Sequence, residues 1–386
     1  MSRLLFRADA GRATGVGHVM RCLAIAETAR SGGDTVAMSG SVDDVPWLSE
    51  LLAGKGIELL EPATSAQDLL MLGARTKSDA IVVDHYQLTG DLSGSPIPVA
   101  SMVDGNFGAR PADLLVDPGL GAVAREGWQA TVTRVGEATS AGATTTVDGG
   151  PPTLQGPRYA PVRASVRAAR LRRVERRVAD PTPWADRPAR ILLVLGGTDP
   201  LGLTRLVASA LRHLPVPATV TVVVAPGQVP AYEDLAVSWQ TAKGPASAER
   251  CDGLRLVAPG PQLPELAADA DVVVSAAGTT THELCHIGVP GAIICVADNQ
   301  RRGYDALVAA KGAVGLGDAA DVSADPSSVT AAVAALLRDP GRYQRMSVTA
   351  SGLVDGQGGQ RILDALGRLT GSGRTAAADE RRLETR

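Results

Sequence analysis

Short, nearly continuous apolar runs recur along the chain, each closed by small or acidic residues and separated from the next by stretches of helical periodicity. The first is RLLFR at residues 3–7. It is followed by the glycine-rich turn GRATGVGH (11–18) and a segment over 18–30 in which Met20, Leu23, Ala24 and Glu27 keep helical spacing. DAIVVD (79–84), PVASMVD (98–104) and ADLLVD (112–117) continue the series, at intervals long enough for crossover connections. A second series starts at ARILLVLGG (189–197) and runs through TVTVVVA (219–225), GLRLVA (253–258), DVVVSAAG (271–278) and GAIICVA (291–297). Strands apolar on both faces and alternating with helices predict parallel sheets covered on both sides, hence an α/β fold of two doubly wound, Rossmann-like domains. The predicted division is 1–177 for the first domain, 178–188 for a linker, 189–369 for the second domain and 370–386 for a disordered tail. The linker follows from VRAARLRRVERRVADPTPWADRP (165–187), a basic helix running into a proline-rich segment, and EATSAGATTTVDGG (137–150) reads as a flexible loop.

The bulk properties narrow the partners. A chain of 386 residues has room for two domains, each burying its own core, and with aromatics at 3% that core is built from Val, Leu, Ile and Ala. A formal net charge of −3 gives no electrostatic footprint for nucleic acid or an anionic membrane, so the partner is expected to be a small molecule. Cys22, Cys251, Cys285 and Cys295 are scattered without a C-x-x-C pair, which fits a reducing cytoplasm and suggests neither a disulfide framework nor a thiolate zinc site. The opening MSRLLFRADAGR carries charges inside its only apolar run, and no stretch approaches a membrane span, so a cytoplasmic location is expected.

Three loops share one device. In TGVGHVMR (14–21), Gly15 and Gly17 precede a helix whose first turn carries His18; in LGGTDP (195–200), Gly196, Gly197 and Thr198 follow a strand, with Thr198 or Asp199 able to cap the next helix. In SAAGTTTHEL (275–284), Gly278, Thr279 and Thr280 open a helix bearing His282 and Glu283. A plain tight turn explains any one of these alone; together, at the carboxyl ends of strands in open α/β sheets, they point to a phosphorylated ligand held by backbone N–H groups and helix dipoles. HELCH (282–286) fits the H-E-x-x-H zinc signature, but IGVPG cuts its helix short and no third ligand follows in the next turns, so no metal is expected. Glu283 instead suits ribose hydroxyls. VVDHYQL (82–88) puts Asp84 and His85 at a strand's carboxyl end, where an Asp–His neighbour pair is either a surface ion pair or a site, and ADNQ (297–300) puts Asn299 and Gln300 at a helix start, where Asn is also an ordinary cap.

Jointly, RADAGRATGVGHVMRCLAIAE, VVDHY, LQGPRYAPVR, LGGTDP, AAGTTTHELCHIGVPG and ADNQ resemble the nucleotide-sugar hydrolases of the pseudaminic acid pathway and their spore-coat-polysaccharide relatives, in order from about residue 3 to about residue 315. The late motif is also similar to the lipid-linked N-acetylglucosaminyltransferases of peptidoglycan synthesis. The resemblance implies a GT-B fold with a UDP-sugar in the cleft between two domains and no cofactor. It implies that His18 is the base or orienting group, with Asp84 across the same cleft. It further implies that Gly196, Gly197, Thr198 and Gly278 to Thr280 hold the pyrophosphate, that Glu283 holds the ribose, and that Asn299 and Gln300 face the sugar. Two departures fall in the acceptor half: Gly105 stands where a second acid is expected after Asp104, and 121–153 is an unusually long insertion. They favour a metal-independent, inverting glycosyltransferase with a small acceptor, such as a pyrimidine base receiving glucuronate in an antibiotic-type pathway, over a hydrolase of the pseudaminic acid type with water as nucleophile. A nucleotide-sugar sensor is the non-enzymatic rival; a pure binder has no need of His18 and Asp84.

Overall fold

Every apolar run identified above becomes a strand of one of two parallel sheets. The computed structural model describes all residues except 12–13, 43, 123–129, 132–145, 148–150, 181, 197–198, 200, 242–252 and 384–386. The first series forms β1 (Arg3–Arg7), β2 (Thr35–Ser39), β3 (Glu58–Leu60), β4 (Ala80–Val83), β5 (Val99–Met102) and β6 (Leu114–Asp117). After a short antiparallel pair, β7 (Ala130–Thr131) with β8 (Thr146–Val147), the chain adds β9 (Thr153–Gln155). The sheet order is β3-β2-β1-β4-β5-β6-β9. Helices α1 (Gly17–Ser31), α2 (Pro46–Gly54) and α3 (Ala66–Arg75) make the crossovers between its early strands.

Helix α4 (Ala164–Ala179) leads to the second sheet: β10 (Ala189–Val194), β11 (Ala218–Val223), β12 (Gly253–Val257), β13 (Val272–Ala276), β14 (Gly291–Cys295) and β15 (Val314–Asp318), ordered β12-β11-β10-β13-β14-β15. Its helices are α5 (Leu203–Leu211), α6 (Glu233–Thr241), α7 (Leu263–Asp269), α8 (Thr280–Ile287), α9 (Arg301–Ala309), α10 (Ala319–Ala324), α11 (Ser327–Arg338) and α12 (Pro340–Leu353), after which α13 (Gly358–Leu383) ends the chain. In both sheets the winding reverses beside the first strand. The registers Arg7↔Val83 and Val194↔Ser275 bring the carboxyl ends of β1 and β4, and of β10 and β13, level with each other. Ligands of doubly wound sheets bind just outside such ends.

Contacts divide the chain into one unit of Met1–Arg163 with Gly356–Arg386 and another of Ala164–Asp355. These boundaries differ from those read off the sequence in two places. The basic helix α4, assigned above to the first domain, packs on α7 and α8 of the second unit. Its Arg173 is buried, with Nη1 donating to the carbonyls of Ala268 (3.2 Å) and Ala270 (2.7 Å) and Nη2 to the Tyr343 hydroxyl (2.8 Å). Arginines that read as a solvated linker are thus spent closing the backbone ends of other elements. Conversely, α13 belongs to the first unit, where Ile362, Ala365 and Leu366 join Leu23 and Ile25 of α1 in one core. Its backbone runs through the segment read as a disordered tail, as far as Leu383. Covered by α13 as well as by the sheet, α1 buries Val19, Arg21, Cys22, Leu23, Ala24, Ile25, Ala26 and Ala29, far more than one amphipathic stripe. The loop expected over 137–150 lies outside the described residues, apart from β8.

Candidate functional site

The first unit gathers charged side chains where its strand order reverses. Asp84 follows β4, and its backbone N–H donates to the Arg7 carbonyl of β1 (2.9 Å), which fixes its position over the sheet's edge. His18 stands on the first turn of α1, one residue after the helix start, so the strand and the helix aim their side chains at one point. Nδ1 of His18 lies 2.7 Å from Oδ1 of Asp84. Burial alone pushes the Asp84 carboxyl up, but Arg21 and His18 outweigh it and hold the group well below the usual carboxylate range. An ionised carboxylate only accepts, so Nδ1 carries a proton, and in the neutral imidazole Nε2 is the nitrogen that accepts. The side chain of Asp84 is fully buried, whereas that of His18 keeps 12% exposure.

Arg21, one helical turn beyond His18, closes the network. It donates to both oxygens of Asp84 (Nε to Oδ2 at 2.6 Å, Nη2 to Oδ1 at 2.7 Å) and to both oxygens of Asp104 (2.7 and 3.0 Å). The Tyr86 hydroxyl also donates to Asp104, and the Tyr86 ring stands edge-on to His18, centroids 4.4 Å apart. Desolvation opposes the charge on Arg21, but its two carboxylates overcome that and raise its pKa well above normal. One buried cation between a buried and a half-buried anion fixes the imidazole's orientation through Nδ1 alone.

A second Asp–His pair stands beside it. Asp9, just past β1, accepts from Arg7 Nη2 (2.9 Å), Arg7 Nη1, the Ser41 N–H (2.9 Å) and His85 Nε2 (2.9 Å). His85 Nδ1 accepts from the N–H groups of Gln87 (3.1 Å) and Leu88 (2.8 Å), so both its nitrogens are committed and it holds the 84–88 loop in place. His85 therefore supports Asp84 and Tyr86. Gly105, which departs from the expected acid, sits in the turn closed by the reciprocal Asp104–Phe107 backbone bonds at φ +64°, a conformation that disfavours any side chain.

The other site residues are in the second unit. Gly278, Thr279 and Thr280 follow β13 and lead into α8, where Thr279 at the N-cap places no side-chain oxygen on the first turn. Asn299 and Gln300 follow β14. Gln300 accepts the Val296 N–H through Oε1 (3.1 Å), and its Nε2 lies 3.4 Å from where a Gly278 Cβ would stand, so the two loops meet. Gly196 follows β10 at φ +110°, while Gly197 and Thr198 lie outside the described residues. Asp199 caps α5, accepting from the N–H groups of Leu203 (3.0 Å) and Thr204 (2.9 Å), so that helix start already holds a carboxylate. In the first unit the N–H of Gly15 donates to the Gly11 carbonyl (2.8 Å), and Gly17 is the first residue of α1, so both glycines shape the turn that presents His18.

HELCH resolves into separate duties. Glu283 lies in the first turn of α8, whereas His286, in its last turn, is buried and donates from Nδ1 to the Val354 carbonyl (2.9 Å). Among the described residues no three His, Cys, Asp or Glu side chains converge as a metal ion requires. No helix among them is long and apolar enough to cross a membrane. Arg21 and Asp104 escaped assignment from the sequence: a lone arginine on a helix normally faces solvent, and only the two acids at the ends of β4 and β5 make its burial possible.

No family model and no curated protein matches the chain, but solved structures do. Acinetobacter baumannii MurG superposes with a TM-score of 0.58 at 17% identity, over 95% of this chain and 100% of that one. The S. aureus MnaA–UDP co-structure gives 0.56 at 12% identity, over 94% and 95%. The spinosyn rhamnosyltransferase SpnG complexed with spinosyn aglycone gives 0.51 at 16% identity, over 94% and 100%. With its seven- and six-stranded parallel sheets, the chain has the GT-B glycosyltransferase fold.

Proposed function

We propose that the protein is a glycosyltransferase that uses a UDP-sugar and a small acceptor, with His18 as general base. The observation that carries this reading is the buried Asp84–Arg21–Asp104 array holding His18 Nδ1 and leaving Nε2 free, since a binding protein gains nothing from an oriented base. The structural neighbours add support at the level of the fold: one is a co-structure with UDP, another a rhamnosyltransferase complexed with its aglycone. The acceptor's N–H or O–H attacks the anomeric carbon from the face opposite UDP, the bond from that carbon to the pyrophosphate oxygen breaks with its electron pair leaving on UDP, and the proton passes to His18 Nε2. The sugar's configuration inverts. Charge developing on UDP is met by the start of α8 and the Gly278–Thr280 loop, with Glu283 on the ribose and Asn299 and Gln300 toward the sugar.

Within this reading the chain is a relative of the pseudaminic acid pathway hydrolases in which the Gly105 turn replaces an acid near the nucleophile, which favours an organic acceptor over water. The test is UDP release from a panel of UDP-sugars, with and without small acceptors, for the wild type and His18→Ala. Acceptor-dependent release that falls about 10²–10⁴-fold in His18→Ala is the expected result. Release with free sugar as the sole product whatever the acceptor identifies a hydrolase; no release from any UDP-sugar refutes the reading.

A further inference from the structure

Of the chain's two phenylalanines, Phe6 is fully buried in the first core and Phe107 is 43% exposed. A single exposed apolar side chain is ordinary, and what distinguishes Phe107 is how it is held. The reciprocal Asp104–Phe107 backbone bonds and the positive-φ glycines at 105 and 108 close a tight turn, and a Cβ at Gly108 would press within 3.2 Å of both the Met102 carbonyl and the Tyr86 ring. That turn sets the Phe107 ring against Tyr86, centroids 5.8 Å apart, while Tyr86 stands edge-on to His18 and donates to Asp104. In a chain with 3% aromatics, a ladder of rings runs from the free base to an exposed phenyl face.

We infer that Phe107 is a specificity-determining platform on which a planar, unsaturated ring of the acceptor stacks with its nucleophilic edge toward His18 Nε2. The inference rests on the transferase reading and names its acceptor class. A flat π-system gains offset stacking on phenyl that a puckered saturated ring or water cannot match, and covering the phenyl face excludes water from the base at the moment of transfer. The bond changes are those of the transfer already described, with the acceptor's ring N–H or O–H as nucleophile.

The experiment uses the full-length enzyme, the UDP-sugar it turns over, planar probes (cytosine, uracil, phenol) and saturated probes of similar size (cyclohexanol, methyl glucoside). F107A should raise the KM of the planar acceptor by about tenfold to a hundredfold, with the loss concentrated in KM rather than kcat; F107W should restore it and F107L should not. Planar probes should outperform saturated ones in the wild type. An acceptor KM unmoved in F107A, full rescue by F107L, or a preference for saturated acceptors overturns the inference while leaving the transferase reading intact. Free sugar as the only product, or no turnover of any UDP-sugar, overturns both.

Discussion

At the scale of single residues, the claim is that Asp84 sets the tautomer of His18. Asp84→Asn keeps the size but can present an amide N–H to Nδ1, which would move the proton to Nε2 and remove the base. Turnover should drop on the order of 10⁴-fold while UDP affinity stays within about twofold, measured by steady-state kinetics beside UDP titration. A proportional fall in UDP affinity would mean that Asp84 binds nucleotide instead. Arg21 is the structural counterpart. Arg21→Met strands two buried carboxylates, and chemical denaturation should show the first unit destabilised by about 3–5 kcal/mol.

The same network dictates how the fold responds to acid. Burial raises the carboxyls of Asp84 and Asp104, but Arg21 more than compensates, helped by His18 at Asp84 and by Tyr86 at Asp104, and both stay below their ordinary values. Groups whose folded pKa is depressed contribute stability that is fully present above the unfolded value, near 3.9 for Asp, and lost as pH falls through the lowered folded value. Chemical denaturation followed by circular dichroism at several pH values should therefore show the wild type losing this stability as pH falls below about 4, the unfolded Asp value, down to the lowered folded value. Arg21→Met, with its acids released, should begin to gain relative to the wild type as pH falls through that range.

At the scale of elements, the strands were legible and the edges were not. β1, β4, β5, β6, β10, β13 and β14 are buried on nearly every residue and so stand out as unbroken apolar runs, while β11 and the edge strand β12 are only partly buried and were legible from their Val and Leu content. β3, with two exposed residues of three, and the glycine-interrupted β15 lack that mark. The three glycine loops were legible as strand-to-helix turns; Asp84 and Gly278 fall just past strand ends, and His18 and Gln300 at the starts of the helices that follow. The partners of His18 were less so, because Arg21 and Asp104 are 83 residues apart and only the adjacency of β4 and β5 joins them. In helix α8 the spacing of HELCH matches zinc chemistry, while His286, packed against α4 and α12, gives its Nδ1 to a backbone carbonyl. Elemental analysis should find no stoichiometric zinc, and turnover should survive a chelator. Zinc lost together with activity would contradict the assignment of α8 to the nucleotide.

At the scale of the whole molecule, hydrophobic cores that do not cross from one unit to the other and a chain that returns through α13 define two folding units. Calorimetry should resolve two transitions. UDP at about a hundredfold excess over its Kd should stabilise the second unit alone by about 2.7 kcal/mol, since Gly278, Thr279, Thr280, Glu283 and Gln300 all belong to it. Deleting 358–386 should instead lower the first transition, because Ile362, Ala365 and Leu366 leave the core around α1. The division of labour, nucleotide on the second unit and base on the first, is tested most directly by isothermal titration of UDP into the wild type, His18→Ala and Glu283→Ala. The wild type and His18→Ala should bind UDP equally, and Glu283→Ala should bind it more weakly by about 1.5–3 kcal/mol, the value of a charged hydrogen bond. No UDP binding by the wild type, or an affinity that falls with His18 and not with Glu283, would contradict it.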